Sequence, residues 1–228
     1  MHNALLFPLI AISCSIAPNA PNEAMVIPPA APIPAERNVT IHPVHHSAMV
    51  LEWNEHTILV DPHDGAERFK AYAAPDLILI TDIHGDHMDA KTLHALDLVK
   101  ARIVAPRAVM DQLSEELKKL CTSLANGSST EVTGVGIEAI PMYNMPEPND
   151  PRHPKGRGNG YVLTFGEERI YISGDTEDIP EMRALKNIDV AFVCMNLPYN
   201  MTVDQAASGV LAFKPKLAYP ITIAAKKA

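Results

Sequence analysis

The chain has 228 residues, a formal net charge of −8 and no basic block, which argues against a nucleic-acid partner because such partners require a positive surface. Hydrophobic residues make up 47% of the chain, enough for the core of one domain with an appendage. The three cysteines (Cys14, Cys121 and Cys194) fit neither a disulfide framework nor a zinc-finger spacing, and no apolar run is long enough to cross a membrane as a folded helix.

The first residues have the pattern of an export signal. Ala4–Ser13 is a short apolar segment, and Ala11–Cys14 (AISC) resembles a lipobox, in which the cysteine becomes lipidated. Cleavage after Ala20, or a disordered or misassigned start, are the alternatives. We predict a signal peptide or lipoprotein signal over residues 1–17 and therefore export to the periplasm, with a membrane tether through Cys14 in the lipoprotein form.

A proline-rich segment separates this signal from the folded domain. Six prolines lie between residues 18 and 36, and each lacks a backbone donor and restricts the residue before it. This composition predicts an extended linker over residues 18–37. The domain is then expected over residues 38–228.

The domain begins with three predicted strands. Val39–His42 is the first, and Met49–Trp53 and His56–Val60 form a hairpin over Asn54-Glu55. Asp61-Pro62 ends the third strand.

The stretch DLILITDIHGDHMD joins a buried strand to a cluster of ionisable side chains. Leu77–Ile80 is an apolar run typical of a strand buried on both faces. Because side chains alternate along an extended chain, we expect Asp82, His84 and Asp86 on one side. His87 joins them where the backbone turns toward a helix. Imidazole and carboxylate groups are ligands of divalent metals such as Zn²⁺, so a metal site is predicted, with a solvated loop rich in His and Asp as the alternative.

The rest of the chain alternates predicted strands and helices. Asp89 caps a helix whose apolar positions run from Leu93 to Val99. The long loop Tyr143–Asn159 contains His153, and loops of this length are usually functional or mobile. The further predicted helices are Ala108–Cys121, Pro180–Leu185 and a capped helix from Thr202 to Phe213. The further predicted strands are Arg102–Ala105, Thr130–Met142 with interruptions at Gly134 and Gly136, Arg169–Ile172, Val190–Met195 and Lys216–Pro220.

The segment from Asp82 to His87, D-x-H-x-D-H, resembles the H-x-H-x-D-H signature of the metallo-β-lactamase superfamily, with Asp82 in the first histidine position. The resemblance covers about Val39 to Pro220 and is closest to metal-dependent hydrolases similar to ascorbate-phosphate lactonases. It implies an α/β fold, the four-layer αβ/βα sandwich, with two mixed sheets face to face, helices outside and a metal site at one edge. We expect the C-terminal part of this fold to be incomplete.

The resemblance also implies the ligands. His153 takes the ligand position of the third motif, and Asp175, in Ser-Gly-Asp-Thr after a strand, takes that of a carboxylate bridging two metals. An exposed loop histidine and a plain turn residue are the respective alternatives. We expect His84, at a strand end, to be held more rigidly than His153. The two implied sites share Asp175: site one contains Asp82, His84 and His153, and site two contains Asp86 and His87.

Two further residues are expected to support these ligands. Asp61, in the Asp-Pro that follows the hairpin, would hold a ligating imidazole by hydrogen bonding, as in the superfamily. A plain turn residue is the alternative for Asp61. His46 is expected to face the cleft, with a purely structural role as its alternative.

The implied cofactor is one or two Zn²⁺ ions, with Mn²⁺ or Fe²⁺ as alternatives because Asp82 supplies a harder oxygen ligand. The implied reaction is attack of a metal-activated water on an ester, lactone or phosphoester of a small molecule, with Asp86 and Asp175 as catalytic residues. Relatives usually carry a fifth-motif histidine after the last strand, whereas no histidine follows His153 here. We therefore expect one tight and one weak metal site. A noncatalytic exported binding protein with a degraded metal site is the alternative.

Overall fold

The computed structural model of the protein describes residues 38–145 and 152–222. The predicted signal, lipobox and linker lie outside these residues, as does the end of the chain, so the incomplete C-terminal part stays a prediction. Within the two described ranges, no helix is both long and apolar enough to cross a membrane.

The first sheet contains six strands in sequence order. The strands are β1 (Thr40–His45), β2 (Ala48–Trp53), β3 (His56–Val60), β4 (Leu77–Leu79), β5 (Arg102–Ala105) and β6 (Cys121–Ser123). The first three pair antiparallel, and β3 to β6 pair parallel. The predicted hairpin turn at Asn54-Glu55 is confirmed, because both residues have positive φ and Trp53 pairs with His56.

The second sheet also contains six strands, in the order β12-β11-β10-β9-β8-β7. The strands are β7 (Ser129–Val132), β8 (Val135–Met142), β9 (Gly158–Phe165), β10 (Glu168–Ile172), β11 (Val190–Cys194) and β12 (Leu217–Ile221). Strands β7 to β10 pair antiparallel, and β10 to β12 pair parallel. The predicted interruption at Gly134 is confirmed, whereas Gly136 lies inside β8.

Apolar side chains along the strands of the first sheet point alternately to its two faces, and both faces are buried. Ile58 and Val60 of β3 pack against the second sheet, while Leu59 between them packs in the other cluster with the helices. Phe213 covers the second sheet, with its ring centroid 5.8 Å from that of Tyr171. The helices are α1 (Ala90–Ala95), α2 (Arg107–Gln112), α3 (Glu115–Lys118), α4 (Pro180–Arg183), α5 (Val203–Phe213) and a 3-10 helix (Ala66–Phe69). The predicted four-layer αβ/βα arrangement is therefore confirmed.

Two helix predictions were wrong in extent. The helix capped by Asp89 ends at Ala95, and Val99 is 94% exposed beyond it. The predicted helix Ala108–Cys121 is broken at Ser114, whose side chain accepts a hydrogen bond from the Leu117 N–H and starts α3. A serine followed by two glutamates is a helix-start signal, and it outweighed the apolar spacing.

Candidate metal centre

The site lies where the loops that follow several strands meet at one edge of the two sheets. Asp61 follows β3, the Asp82 segment follows β4, and Asp175 follows β10. Backbone N–H of Asn159 donates to the carbonyl of Thr81 at 2.9 Å, so the two sheets are joined beside the cluster. This contact fixes the loop after β4 against the start of β9.

The backbone turns inside the central motif. The N–H groups of His87 and Met88 both donate to the carbonyl of His84, at 2.9 and 2.8 Å. The expectation of an extended chain from Asp82 to Asp86 was therefore wrong beyond His84, although Asp82 converges with His84, and His84 and Asp86 line the same cavity. The turn buries His87 completely and directs Asp86 toward His46 instead.

Three side chains converge as a candidate metal-binding group. Ligand atoms of Asp82, His84 and His153 all lie within 4.8 Å of one another. Asp82 is fully buried, and its Oδ2 lies 2.9 Å from Nδ1 of His84. Within the described residues, both ring nitrogens of the buried His153 have no hydrogen-bond partner. Buried nitrogens of this kind are rare and costly, so a cation ligated there fits the residues present.

His87 is held by Asp61 and Thr81. Oδ2 of Asp61 lies 2.8 Å from Nδ1 of His87 and accepts the Thr81 hydroxyl at 2.7 Å. The Thr81 N–H donates to the other oxygen of Asp61 at 2.8 Å. Because a carboxylate only accepts, the proton of the neutral imidazole lies on Nδ1, which leaves Nε2 as a ligand atom. The structure thus places Asp61 where a residue that orients His87 must lie.

Asp175 lies between His87 and His153. Its Oδ2 is 3.4 Å from Nε2 of His87 and 3.5 Å from Nε2 of His153. Asn200 donates to the other oxygen at 3.2 Å, a contact that the sequence did not indicate. A carboxylate that bridges two metals needs this position, although its ligand role stays a prediction.

Asp86 is brought near the cluster but is paired with His46. Nε2 of His46 lies 3.1 Å from Oδ2 of Asp86, and the Ser47 hydroxyl donates to the Asp86 carbonyl at 2.6 Å. The hydrogen bond from His46 is the main cause that lowers the pKa of Asp86. Asp86 is therefore an ionised carboxylate at the cavity wall, and direct ligation by it stays a prediction.

Arg157 is the residue that sequence reasoning missed. Its Nε and Nη2 donate to the two oxygens of Asp82, at 3.1 and 2.8 Å. Burial would raise the pKa of Asp82, but the hydrogen bonds from His84 and Arg157 outweigh it and lower the pKa to about 2. Arg157 lies in a loop rich in Pro and Gly, and no local pattern links it to a partner so distant along the chain.

Opposite effects act on the two buried histidines. Burial lowers the pKa of His153. Burial would also lower the pKa of His87, but the carboxylates of Asp61 and Asp175 outweigh it and raise the pKa above the ordinary imidazole value. The field that favours a proton on His87 also favours a metal cation, whose binding would release that proton.

A cavity of about 450 Å³ opens onto these groups. The residues that line it include His46, His84, Asp86, His153, Asp175 and Tyr199. It is large enough for a small molecule. The donor set of imidazoles and carboxylates suits a borderline divalent metal at its base.

Comparison with known proteins identifies the family. Residues 40–222, most of the chain, match the model of the beta-lactamase superfamily domain. The chain belongs to this superfamily. The predicted metallo-β-lactamase resemblance is therefore confirmed, and it covers nearly the span that the sequence indicated.

Several relatives of this chain are named metal-dependent hydrolases. A UPF0173 metal-dependent hydrolase from Pyrococcus horikoshii is 31% identical over 186 residues, which cover 77% of this chain and 80% of the relative. A crystal structure of a candidate metal-dependent hydrolase from Parabacteroides distasonis is 41% identical and covers 83% of this chain and 84% of that chain, with a TM-score of 0.75. The metallo hydrolase Igni18 from Ignicoccus hospitalis, 20% identical with a TM-score of 0.67 and coverage of 81% and 82%, shares the fold.

Proposed function

We propose that the chain hydrolyses an ester, lactone or phosphoester of a small molecule and uses one or two Zn²⁺ ions. The observation that carries this proposal is the buried His153, whose ring nitrogens are unpartnered within the described residues. Its Nε2 lies 3.8 Å from Oδ2 of Asp82 and 3.5 Å from Oδ2 of Asp175. Membership of a superfamily whose relatives are named metal-dependent hydrolases supports the reaction class.

The residues around the cavity would have different roles in this reaction. Bound Zn²⁺ supplies Lewis acidity and lowers the pKa of water. Asp82, His84 and His153 would hold it, and Asp61 would keep His87 in the tautomer that leaves Nε2 available. Asp86 lines the cavity as an ionised carboxylate oriented by His46, so it is placed to accept a proton from water.

We further propose one tight and one weak metal site. Site one keeps two imidazoles, His84 and His153, even while its carboxylate Asp82 is paired with Arg157. Site two has one imidazole, His87, and its carboxylate Asp86 is paired with His46. A site with fewer available donors binds a metal less firmly. Calorimetric titration of apoprotein with Zn²⁺ should give one tight equivalent and a second, weaker one. Two tight and equal sites would contradict this assignment.

An activity panel tests the reaction class. Apoprotein reloaded with Zn²⁺ is assayed on carboxylic esters, lactones and phosphodiesters, beside the His153→Ala variant as a matched control. Turnover by the parent that needs metal and is lost in His153→Ala supports the proposal. Tight metal binding without turnover on any member of the panel would instead favour the noncatalytic binding protein.

We also propose export, with lipidation at Cys14. The apolar residues 4–13, the cysteine and the proline-rich linker support it. Expression in a bacterial host with radiolabelled palmitate should label the parent but not Cys14→Ser. Label that persists in the variant would contradict lipidation at Cys14. Protein found only in the cytoplasm would contradict export.

A further inference from the structure

The ion pair between Arg157 and Asp82 is buried and bidentate. Both carboxylate oxygens receive an N–H from the same guanidinium, at 3.1 and 2.8 Å. The Asp82 side chain is 0% exposed and that of Arg157 is 16% exposed. Such a fork fixes the orientation of both groups and is stronger than a single contact.

Arg157 is hydrogen-bonded to the same carboxylate of Asp82 that a metal in site one would need as a ligand. Oδ2 of Asp82, which accepts from Nη2, also lies 2.9 Å from Nδ1 of His84 and 3.8 Å from Nε2 of His153. Nη2 is itself 3.4 Å from Nε2 of His84. A divalent cation ligated by Oδ2 would therefore stand within a few ångströms of a fixed positive charge in a poorly solvated place, where like charges repel strongly.

The pair also changes the charge of the site. An aspartate stands where the superfamily signature has a neutral histidine, and Arg157 cancels the added negative charge. A buried carboxylate left without a counter-charge would be costly. The guanidinium thus stabilises Asp82 in the apoprotein, at the expense of the attraction that Asp82 would exert on a metal.

Arg157 has a second acceptor close by. Nη2 also donates to the backbone carbonyl of Arg152. The guanidinium can therefore keep a hydrogen bond to this carbonyl, and another to Oδ1 of Asp82, when Oδ2 turns to a metal. The local contacts permit the exchange without unfolding the loop.

We propose that Arg157 is a positioning residue that competes with metal for Asp82 and lowers the affinity of site one. This inference rests on the proposed metal site. An internal cation then limits the affinity of site one, independently of the ligands that site two lacks. We also expect an effect opposite to that of ordinary structural damage, since removal of Arg157 should tighten metal binding.

The test compares Zn²⁺ affinity in four proteins by calorimetric titration of apoprotein. Arg157→Gln should bind the first equivalent about tenfold more tightly than the parent, because one repelling charge is lost. Arg157→Lys should lie between them, since it keeps the charge but not the fork. Arg169→Gln, which removes a partly buried ion pair with Glu138 at the other end of β10, should leave the affinity unchanged.

Thermal unfolding supplies a second readout. Apoprotein of Arg157→Gln should melt below the parent, whereas Zn²⁺ should raise its Tm more than that of the parent. Equal or weaker Zn²⁺ binding by a folded Arg157→Gln would overturn the inference while leaving the metal site intact. If Arg157→Gln does not fold, Arg157→Lys decides by the same criterion.

Failure of the metal site itself gives a different result. Absence of Zn²⁺ binding in both the parent and the Arg157 variants would overturn this inference and the proposed function together. Binding by Arg157→Gln alone would support the competition and would show that the parent is not loaded by Zn²⁺ under those conditions.

Discussion

At the scale of single residues, His87 depends on Asp61 for its orientation. We expect Asp61→Asn to weaken Zn²⁺ binding roughly 10- to 100-fold, because the amide cannot hold the imidazole as a carboxylate does. Asn tolerates the positive φ of this position, so the backbone should not be strained. Competition with a chromogenic chelator measures the affinity. Asp64→Asn, which changes an exposed carboxylate three residues away, is the control and should bind as the parent does.

His153 should contribute more to metal retention than His84. Its place in a long loop suggested the reverse, but the structure buries His153 and holds its carbonyl by a 2.9 Å hydrogen bond from the Asn144 N–H, while 39% of the His84 side chain is exposed. A ligand held before binding pays less ordering entropy. We expect His153→Ala to retain less metal than His84→Ala after gel filtration, measured by plasma mass spectrometry. Equal retention would show that the loop around His153 is not preordered.

At the scale of elements, Asp76 joins β3 to the start of β4. Its Oδ2 accepts the N–H of Thr57 and the ammonium of Lys100, both at 3.0 Å. Burial would raise the pKa of Asp76, but these hydrogen bonds outweigh it and lower the pKa below the ordinary value of 3.8. Ionised Asp76 therefore contributes stability that is present above pH 3.8 and is lost as the pH falls through the lower folded-state pKa.

Asp76→Asn should accordingly lower the free energy of unfolding by about 1–3 kcal/mol at pH 7, because charged hydrogen bonds are lost. The difference from the parent should shrink as the pH falls below 3.8. Denaturant unfolding of apoprotein at several pH values measures it, with the solvent-facing Asp97→Asn as control. A difference that stays constant down to pH 2 would exclude ionisation of Asp76 as its cause.

Local pattern accounts for most elements, but not for the contacts that complete the centre. The alternating faces of β3 and the capping box of Thr202 and Gln205 could be predicted because they depend on neighbours in sequence. The turn at His84 and the partner of Asp82 could not, since they depend on packing between the two sheets. Arg157 meets Asp82 only after the two sheets pack together and bring the start of β9 against the loop that follows β4.

At the scale of the whole molecule, the proposed ligands come from both sheets, so we expect metal to stabilise the domain as one unit. Ligand binding to the folded state alone adds about 4 kcal/mol at a thousandfold excess over Kd. We expect chelation to lower the Tm in a single calorimetric transition. His153→Ala should show a much smaller response to the chelator. Separate transitions for the two sheets, or no response in the parent, would contradict this expectation.

The order of the proposed ligands along the chain also determines when the centre can be completed during synthesis. Asp82 and His84 leave the ribosome well before His153, and Asp175 follows later still. A nascent chain that ends before His153 lacks both that buried imidazole and Asn159, which fixes the Thr81 loop. Of the residues of site one, such a chain presents only Asp82 and His84, on an unsupported turn. We therefore expect site one to take up metal only after the second sheet has been translated.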